Sequence, residues 1–214
     1  MDEKNEHLQQ VISYLTLRRL LGILGVLFPV ILLLGCYVFG KCGEIQPSIS
    51  EYYYTNMRDV FVGILFAIGL FLFSYKGYEK TDHLAGNFGC VFAVGVAIFP
   101  TLSPNPVIST LHLISATLLF LVLAYFSLFL FTKSKKVAKP TKQKRRRNRI
   151  YRVCGLVMLG CILLLFLIFA FFSKPGSDLL RYKPVFWLES LALWAFGISW
   201  LTKGEVLWRE SNID

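Results

Sequence analysis

The chain has 214 residues, of which 55% are hydrophobic and 15% aromatic, and its mean hydropathy is +0.57. Only 17% of the residues are charged, fewer than in a typical soluble domain, and the apolar residues come in long runs. These features exclude an ordinary soluble globular protein and indicate an integral membrane protein.

The N-terminal segment is predicted to form a helix of its own. Apolar residues between Leu8 and Leu15 keep a helical spacing, which predicts a short amphipathic helix over residues 5–17 at the membrane surface. The apolar run after Arg19 is longer than the core of a secretory signal and lacks a small-residue cleavage site. We therefore expect this run to be a first membrane span and not a cleaved leader.

Six apolar runs are predicted to be membrane spans. The chain is accordingly predicted to be all-α and polytopic, with residues 1–214 forming a single transmembrane domain built as a six-transmembrane-helix bundle. Small residues recur every four positions in the third run, which predicts close helix packing at the centre of the bundle. The predicted spans are residues 20–37, 58–75, 84–99, 107–131, 153–172 and 185–201.

Lysine and arginine residues set the predicted orientation of these spans. If both termini are cytoplasmic, 18 of the 23 Lys and Arg residues lie on the inner side of the membrane. The positive-inside rule therefore predicts cytoplasmic termini and a basic cytoplasmic loop over residues 132–148.

The basic loop also predicts contact with anionic lipid headgroups, since each nearby Lys or Arg contributes about 1 kcal/mol of attraction. No nucleic-acid-binding fold or aromatic platform accompanies these charges, so membrane lipids and not nucleic acids are the predicted partners. The residues expected to contact anionic lipid are Lys144, Arg145, Arg146 and Arg147.

Glu189 lies four residues into the predicted sixth span, where an unpaired carboxylate costs on the order of 2–3 kcal/mol. His112 lies five residues into the predicted fourth span, so the two side chains are about 6 and 7.5 Å from the same membrane edge. This similar depth predicts that they face a shared polar cavity within hydrogen-bond reach. Further residues predicted to line that cavity or its mouth are Ser109, Asp59, Arg58 and Tyr182.

The sequence predicts neither a cofactor nor a metal site. A catalytic zinc site needs about three protein ligands. Of the 3 His, His7 lies in the N-terminal tail and His83 at the inner end of the predicted third span, and no cluster of Cys and His is present. The chain also lacks a nucleophile elbow, a phosphate loop and a nucleotide-binding motif. Cys36 and Cys42 are close enough in sequence to form a disulfide, although proximity alone is weak support for one.

Three segments together resemble one broad family of six-span membrane proteins. They are the outer segment PSISEYYYTNMRDVF, the fourth-span segment STLHLISATLLF and the sixth-span segment FWLESLALWAF. The family contains the damage-regulated autophagy modulators, the Sfk-type plasma-membrane proteins and the proteins that remodel GPI-anchor lipids. The chain is more similar still to an uncharacterised bacterial six-span family, which implies the bacterial cytoplasmic membrane as its location. By this resemblance, Ser50, His112 and Glu189 match the site residues of the family. The resemblance implies a protein that acts on membrane lipid or within the lipid bilayer.

Three functions are compatible with these patterns. The leading hypothesis is an outward-facing polar pocket that binds or handles a membrane lipid or a similar amphiphile. The second is an intramembrane lipid hydrolase or transferase that uses Glu189 and His112 as an acid–base pair. The third is a transporter for a small solute or ion, although the inner halves of the spans lack the polar path that transport requires. A purely structural role, in which the two side chains fix helix register, also explains the pair.

Overall fold

A computed structural model describes residues 3–39, 42–75, 77, 80–133, 141–171 and 178–206. Across these ranges the regular secondary structure is helical, and no strand is formed. A 3₁₀-helix precedes α2 and a π-helix extends α4, at Ser50–Tyr54 and Phe126–Leu130 respectively. The α-helices are α1 (Glu3–Phe39), α2 (Arg58–Phe73), α3 (Lys80–Ile98), α4 (Pro106–Tyr125), α5 (Lys142–Phe171), α6 (Asp178–Arg181) and α7 (Pro184–Lys203).

Five helices of the described part are long and apolar enough to cross a membrane, and they define an integral, multi-pass membrane protein. The remaining long helix, α2, has 16 residues. Its length is about 24 Å, somewhat less than the roughly 30 Å hydrocarbon core of a bilayer. The predicted crossing by α2 therefore stays a prediction. The five segments are Tyr14–Phe39, Lys80–Ile98, Pro106–Leu130, Lys142–Phe171 and Pro184–Lys203.

The predicted separation of a surface helix from the first span is wrong. Helix α1 runs without interruption over the 37 residues from Glu3 to Phe39 and includes Pro29. No Gly or Pro lies between residues 5 and 21, so nothing in the local sequence ends the helix where the amphipathic pattern does. The proline removes one backbone donor without ending the helix.

The predicted basic loop is shorter than expected, because α5 already begins at Lys142. Lysine, arginine and glutamine are good helix formers, and they dominate the first turns of this helix. Part of the predicted loop, residues 134–140, lies outside the described residues. The basic run is therefore largely a helical extension of the predicted fifth span.

The long helices pack one against the next in a closed order: α1, α2, α3, α4, α5, α7 and back to α1. The small residues of α3 are buried, as expected for close packing: Gly89, Ala93 and Ala97. An equally tight approach joins α1 and α7 at Gly22 and Gly197. A Cβ atom on Gly197 would lie 2.7 Å from the backbone oxygen of Gly22. These two helices are thus in direct backbone contact.

The two ends of the helical structure differ in chemistry. At one end α1 finishes, α2, α4 and α7 begin, and a disulfide joins Cys36 to Cys42; we call this the disulfide end. Sequence proximity alone did not predict the disulfide. The chain turns back after α1, since the Cys42 N–H donates to the Cys36 carbonyl, and the two Cα atoms are 5.4 Å apart. The opposite end, where the basic first turns of α5 lie, is called the basic end.

Candidate functional site

A partly open cavity lies among the helices at the disulfide end. Two of its lining residues are polar, Ser50 and Glu189, and the other nine are apolar. Its surface comes from α1, α2, α3, α4 and α7, from the first residue of the 3₁₀-helix and from the residue before it. The apolar lining residues are Phe28, Ile49, Phe61, Leu65, Val96, Ala116, Leu119, Phe120 and Leu193.

The cavity has a volume of about 40 Å³. A single water occupies roughly 10–15 Å³ on this scale, so the space holds a few waters. A whole lipid does not fit without movement of the walls. The pocket predicted from the sequence was polar, whereas this cavity is apolar except around one carboxylate.

Glu189 reaches the cavity from the second turn of α7 and binds the main chain of the segment between α1 and α2. Its Oε2 atom accepts a hydrogen bond from the Ile49 N–H at 2.6 Å, and the Ser50 N–H also faces the carboxylate. The first turn of α7 is held to the same segment, because the Phe186 N–H donates to the Pro47 carbonyl at 3.0 Å. The carboxylate therefore stabilises the start of the 3₁₀-helix that closes this end of the cavity.

A second carboxylate, Glu51, flanks the same 3₁₀-helix. The Ser48 hydroxyl accepts the Glu51 N–H at 3.2 Å and donates to its Oε1 atom at 3.4 Å, a reciprocal arrangement that resembles a capping box. Burial raises the pKa of the Glu51 carboxyl, while the Ser48 hydrogen bond and the charge of Lys183 oppose that rise. Glu51 is also close enough to Glu189 to interact with it electrostatically. The polar side of the cavity is consequently acidic.

His112 does not pair with Glu189, contrary to the prediction. Its side chain is buried, and Nδ1 donates to the Phe99 carbonyl at 2.7 Å. Phe99 follows the end of α3, where backbone carbonyls lack partners within the helix. The similar depth of Glu189 and His112 along their helices does not determine the direction in which each side chain points. Each side chain binds a backbone group instead of the other side chain. The imidazole ties α4 to α3 and does not line the cavity.

Among the other predicted site residues, only Ser50 lines the cavity. The Ser109 hydroxyl accepts the Ser103 N–H at 3.0 Å and so fixes the turn before α4. Arg58 donates to the Tyr53 hydroxyl at 2.7 Å, with its guanidinium 4.4 Å from the ring centroid. These contacts lie outside the cavity. The remaining predicted residues are exposed: Asp59 and Tyr182.

The predicted anionic-lipid residues form the first two turns of α5 at the basic end. Arg145 and Arg146 are exposed, whereas Lys144 and Arg147 are half-buried. The Arg147 guanidinium donates to the Tyr151 hydroxyl at 3.4 Å and lies 4.0 Å from the Glu205 carboxylate. The four side chains therefore differ in environment, and two of them, Arg145 and Arg146, are exposed at the surface.

Two polar features of the structure were missed by sequence reasoning. The partner of Glu189 is a backbone N–H, which no side-chain pattern identifies; the spacing of Ser48 and Glu51 is the signal that would have placed a helix start there. Toward the basic end, the hydroxyls of Ser127 and Ser199 are fully buried and 2.7 Å apart. A serine in an apolar run is weakly informative, because its hydroxyl can also bind the carbonyl of its own helix.

Within the described ranges, no group of three or more His, Cys, Asp and Glu side chains is placed to hold a metal ion. The helices and their apolar surface define the class of protein, a helical multi-pass membrane protein with a small acidic-ended cavity. Comparison with protein-family models, curated proteins and solved structures found no match for the chain.

Proposed function

We propose that the protein binds a membrane lipid or a similar amphiphile at the cavity of the disulfide end. One observation carries the proposal: the Glu189 carboxylate and Ser50 form the polar side of a space whose other nine lining residues are apolar. A carboxylate only accepts hydrogen bonds, so it suits a headgroup that bears hydroxyl or ammonium donors. Such a headgroup would displace the few waters the cavity can hold, and its chains would lie along the apolar helix surfaces.

The orientation forms part of the same proposal. We place six spans, including α2, in a bacterial cytoplasmic membrane with both termini inside. Two independent features support this arrangement: 18 of the 23 Lys and Arg residues fall on one side, and the disulfide falls at the opposite end. Disulfides persist in oxidising compartments, as expected for the outer surface. The cavity would then open to the outer leaflet.

Membrane lipids are the proposed partners at both surfaces. The resemblance to the family that contains GPI-anchor lipid-remodelling proteins supports a role on lipid, and the basic turns of α5 favour anionic headgroups. The residues proposed for that contact are Lys144, Arg145, Arg146 and Arg147. We do not extend the proposal to a hydrolase or transferase, because Glu189 and His112 bind separate backbone groups and form no acid–base pair.

Impermeant thiol labelling tests the orientation. Cys90, Cys154 and Cys161 are replaced by Ala, which keeps the disulfide, and single cysteines are then placed at Arg145 or Tyr182. In intact cells the Tyr182→Cys variant should react with reagent added outside, and the Arg145→Cys variant should react only after the membrane is opened. Both side chains are exposed, so access and not burial decides the result. The reverse labelling would overturn the proposed orientation.

Photolabelling tests binding at the cavity. The purified full chain is reconstituted with phosphatidylethanolamine that carries a photoreactive diazirine near its headgroup, and labelled peptides are identified by mass spectrometry. We expect crosslinks to the lining residues of α4 and α7. Ala116→Leu, which adds bulk at a lining position on α4, should reduce them about tenfold, since the added side chain competes for the same space.

A matched control for photolabelling places the same bulk on the lipid-facing surface, where Leu163→Phe should leave the cavity crosslinks unchanged. Leu163 is 58% exposed, so its replacement does not alter the cavity. The same crosslinking in the Ala116→Leu variant as in the unaltered protein would exclude the cavity as the binding site.

A further inference from the structure

One buried N–H of a half-buried arginine at the basic end, Arg18, has no acceptor among the described residues. The Arg18 guanidinium carbon lies 4.1 Å from the ring centroid of Tyr14 and 5.8 Å from that of Tyr75. Its Nε atom is buried and has no hydrogen-bond partner in the part of the chain that the structure describes. Stacking against tyrosine rings compensates part of the lost hydration but supplies no acceptor for the N–H groups. The arginine is therefore held against the rings while its Nε–H has no acceptor among the described residues.

Two carboxylates act on the tyrosines beside Arg18, Asp82 on Tyr75 and Glu205 on Tyr151, and both have other cationic partners. Asp82 is 2% exposed and lies 2.9 Å from the Lys133 ammonium. Glu205 lies 4.0 Å from Arg147. Neither is paired with Arg18 in the described part of the chain, although a guanidinium at this depth is costly without an anion. An oxyanion from outside the chain would supply what these two carboxylates do not.

Other cationic and hydroxyl groups near Arg18 also favour binding of an anion. Arg147 and the Tyr151 hydroxyl interact with each other at 3.4 Å, and Tyr151 lies close enough to feel the charge of Arg18. Tyrosine hydroxyls donate to phosphate oxygens, and arginine presents a planar fork that matches them. We define the arginine–tyrosine cluster as Tyr14, Arg18, Tyr75, Arg147 and Tyr151. It combines two guanidinium groups with three phenols, contributed by α1, α5 and the segment after α2.

We propose that the arginine–tyrosine cluster binds the phosphate of a membrane lipid headgroup. The cluster lies beside the basic first turns of α5, which attract anionic lipid from the surface. In the proposed orientation it falls at the headgroup level of the inner leaflet. The site is separate from the cavity of the disulfide end, so it stands whether or not that cavity binds lipid. Lipid phosphate is favoured over a soluble ester, because the acyl chains would lie along the adjacent apolar helices.

Thermal unfolding of the purified full chain in neutral detergent tests the proposal. The probes are dioleoyl phosphatidic acid, dioleoylglycerol as its phosphate-free counterpart, and glycerol 3-phosphate as a soluble phosphate ester. Phosphatidic acid should raise the melting temperature in a saturable way, whereas dioleoylglycerol should not. Glycerol 3-phosphate should act only at far higher concentration. Equal potency of the soluble ester and the lipid would overturn the assignment to a membrane lipid.

Three variants locate the effect. Arg18→Gln should weaken the apparent affinity for phosphatidic acid by roughly tenfold or more, since one charged, bidentate contact is lost. Arg18→Lys should lose less, because it keeps the charge without the fork. Arg152→Gln removes the same charge from an exposed position of α5 and should change the affinity less than about twofold.

Two results would contradict the proposed site. Equal losses in Arg18→Gln and Arg152→Gln would show diffuse attraction by the basic surface. A lower melting temperature of Arg18→Gln without lipid, with an unchanged lipid-dependent increment, would show that Arg18 is structural only. Arg18→Lys keeps the test valid if Arg18→Gln does not fold.

Discussion

Replacing Gly197 with alanine should destabilise the protein by about 3 kcal/mol or more, the upper range for overpacking a tight contact. A Cβ atom there would lie 2.7 Å from the Gly22 carbonyl oxygen and 2.7 Å from the Val26 nitrogen. Both are backbone atoms, which cannot rotate away as a side chain does. Helices α1 and α7 would have to separate, and the packing along their whole length would loosen.

Gly160 provides the matched control for this substitution. It also lies within a helix, α5, but a Cβ atom added there meets nothing within 4 Å. Alanine is a better helix former than glycine by about 1 kcal/mol, so Gly160→Ala should be neutral or mildly stabilising. Melting curves in detergent compare the two variants. Similar shifts for both would show that α1 and α7 are not in backbone contact.

Replacing Glu189 with alanine should destabilise the protein by about 1–3 kcal/mol, because the Ile49 N–H would lose its acceptor. The hydrogen bond is short, 2.6 Å, and joins the second turn of α7 to the residue before the 3₁₀-helix. Glu189→Gln keeps an amide oxygen in the same place and should cost much less. Melting temperatures give the size of the effect, and hydrogen exchange of residues 47–54 shows whether the outer segment opens.

The pair of Glu189 variants separates a structural role from a ligand-binding role. If the carboxylate only holds the segment, Glu189→Gln should retain both stability and lipid photolabelling. If its charge also binds a headgroup, Glu189→Gln should retain stability but lose labelling. Unchanged hydrogen exchange in Glu189→Ala would contradict the structural role described above. Asp59→Asn, at an exposed position of the same end, controls for loss of one negative charge.

The helices of this protein were largely predictable, and their ends were not. Long apolar runs identify membrane helices because the hydrocarbon core imposes their length and composition. The same rule does not indicate where a helix continues beyond the hydrocarbon core. The extensions of α1 back to Glu3 and of α5 back to Lys142 were therefore not predicted. Propensity decides those extensions, and it favours helix wherever Lys, Arg, Gln and Leu follow one another without Gly or Pro.

The position of Glu189 was predictable, and its partner was not. Depth along a helix follows from counting residues, but the direction of a side chain depends on the rotation of the helix within its packing. Glu189 therefore meets a backbone N–H, and His112 meets a backbone carbonyl on another helix. The disulfide was only weakly supported by the sequence for a similar reason. The reversal of the chain after α1 brings Cys42 back to Cys36, and the spacing of the two cysteines does not reveal that reversal.

The disulfide and the hydrogen bonds at the disulfide end limit which walls of the cavity can move. The disulfide fixes the outer segment to α1, and the bonds of Glu189 and Phe186 fix that segment to α7. With the contact at Gly197, α1 and α7 form one rigid wall. The hydrogen bond of His112 makes α3 and α4 a second wall. We therefore expect that a guest larger than a few waters enters by displacing α3 and α4 together against α2 and α5, while the wall that carries the carboxylate stays in place.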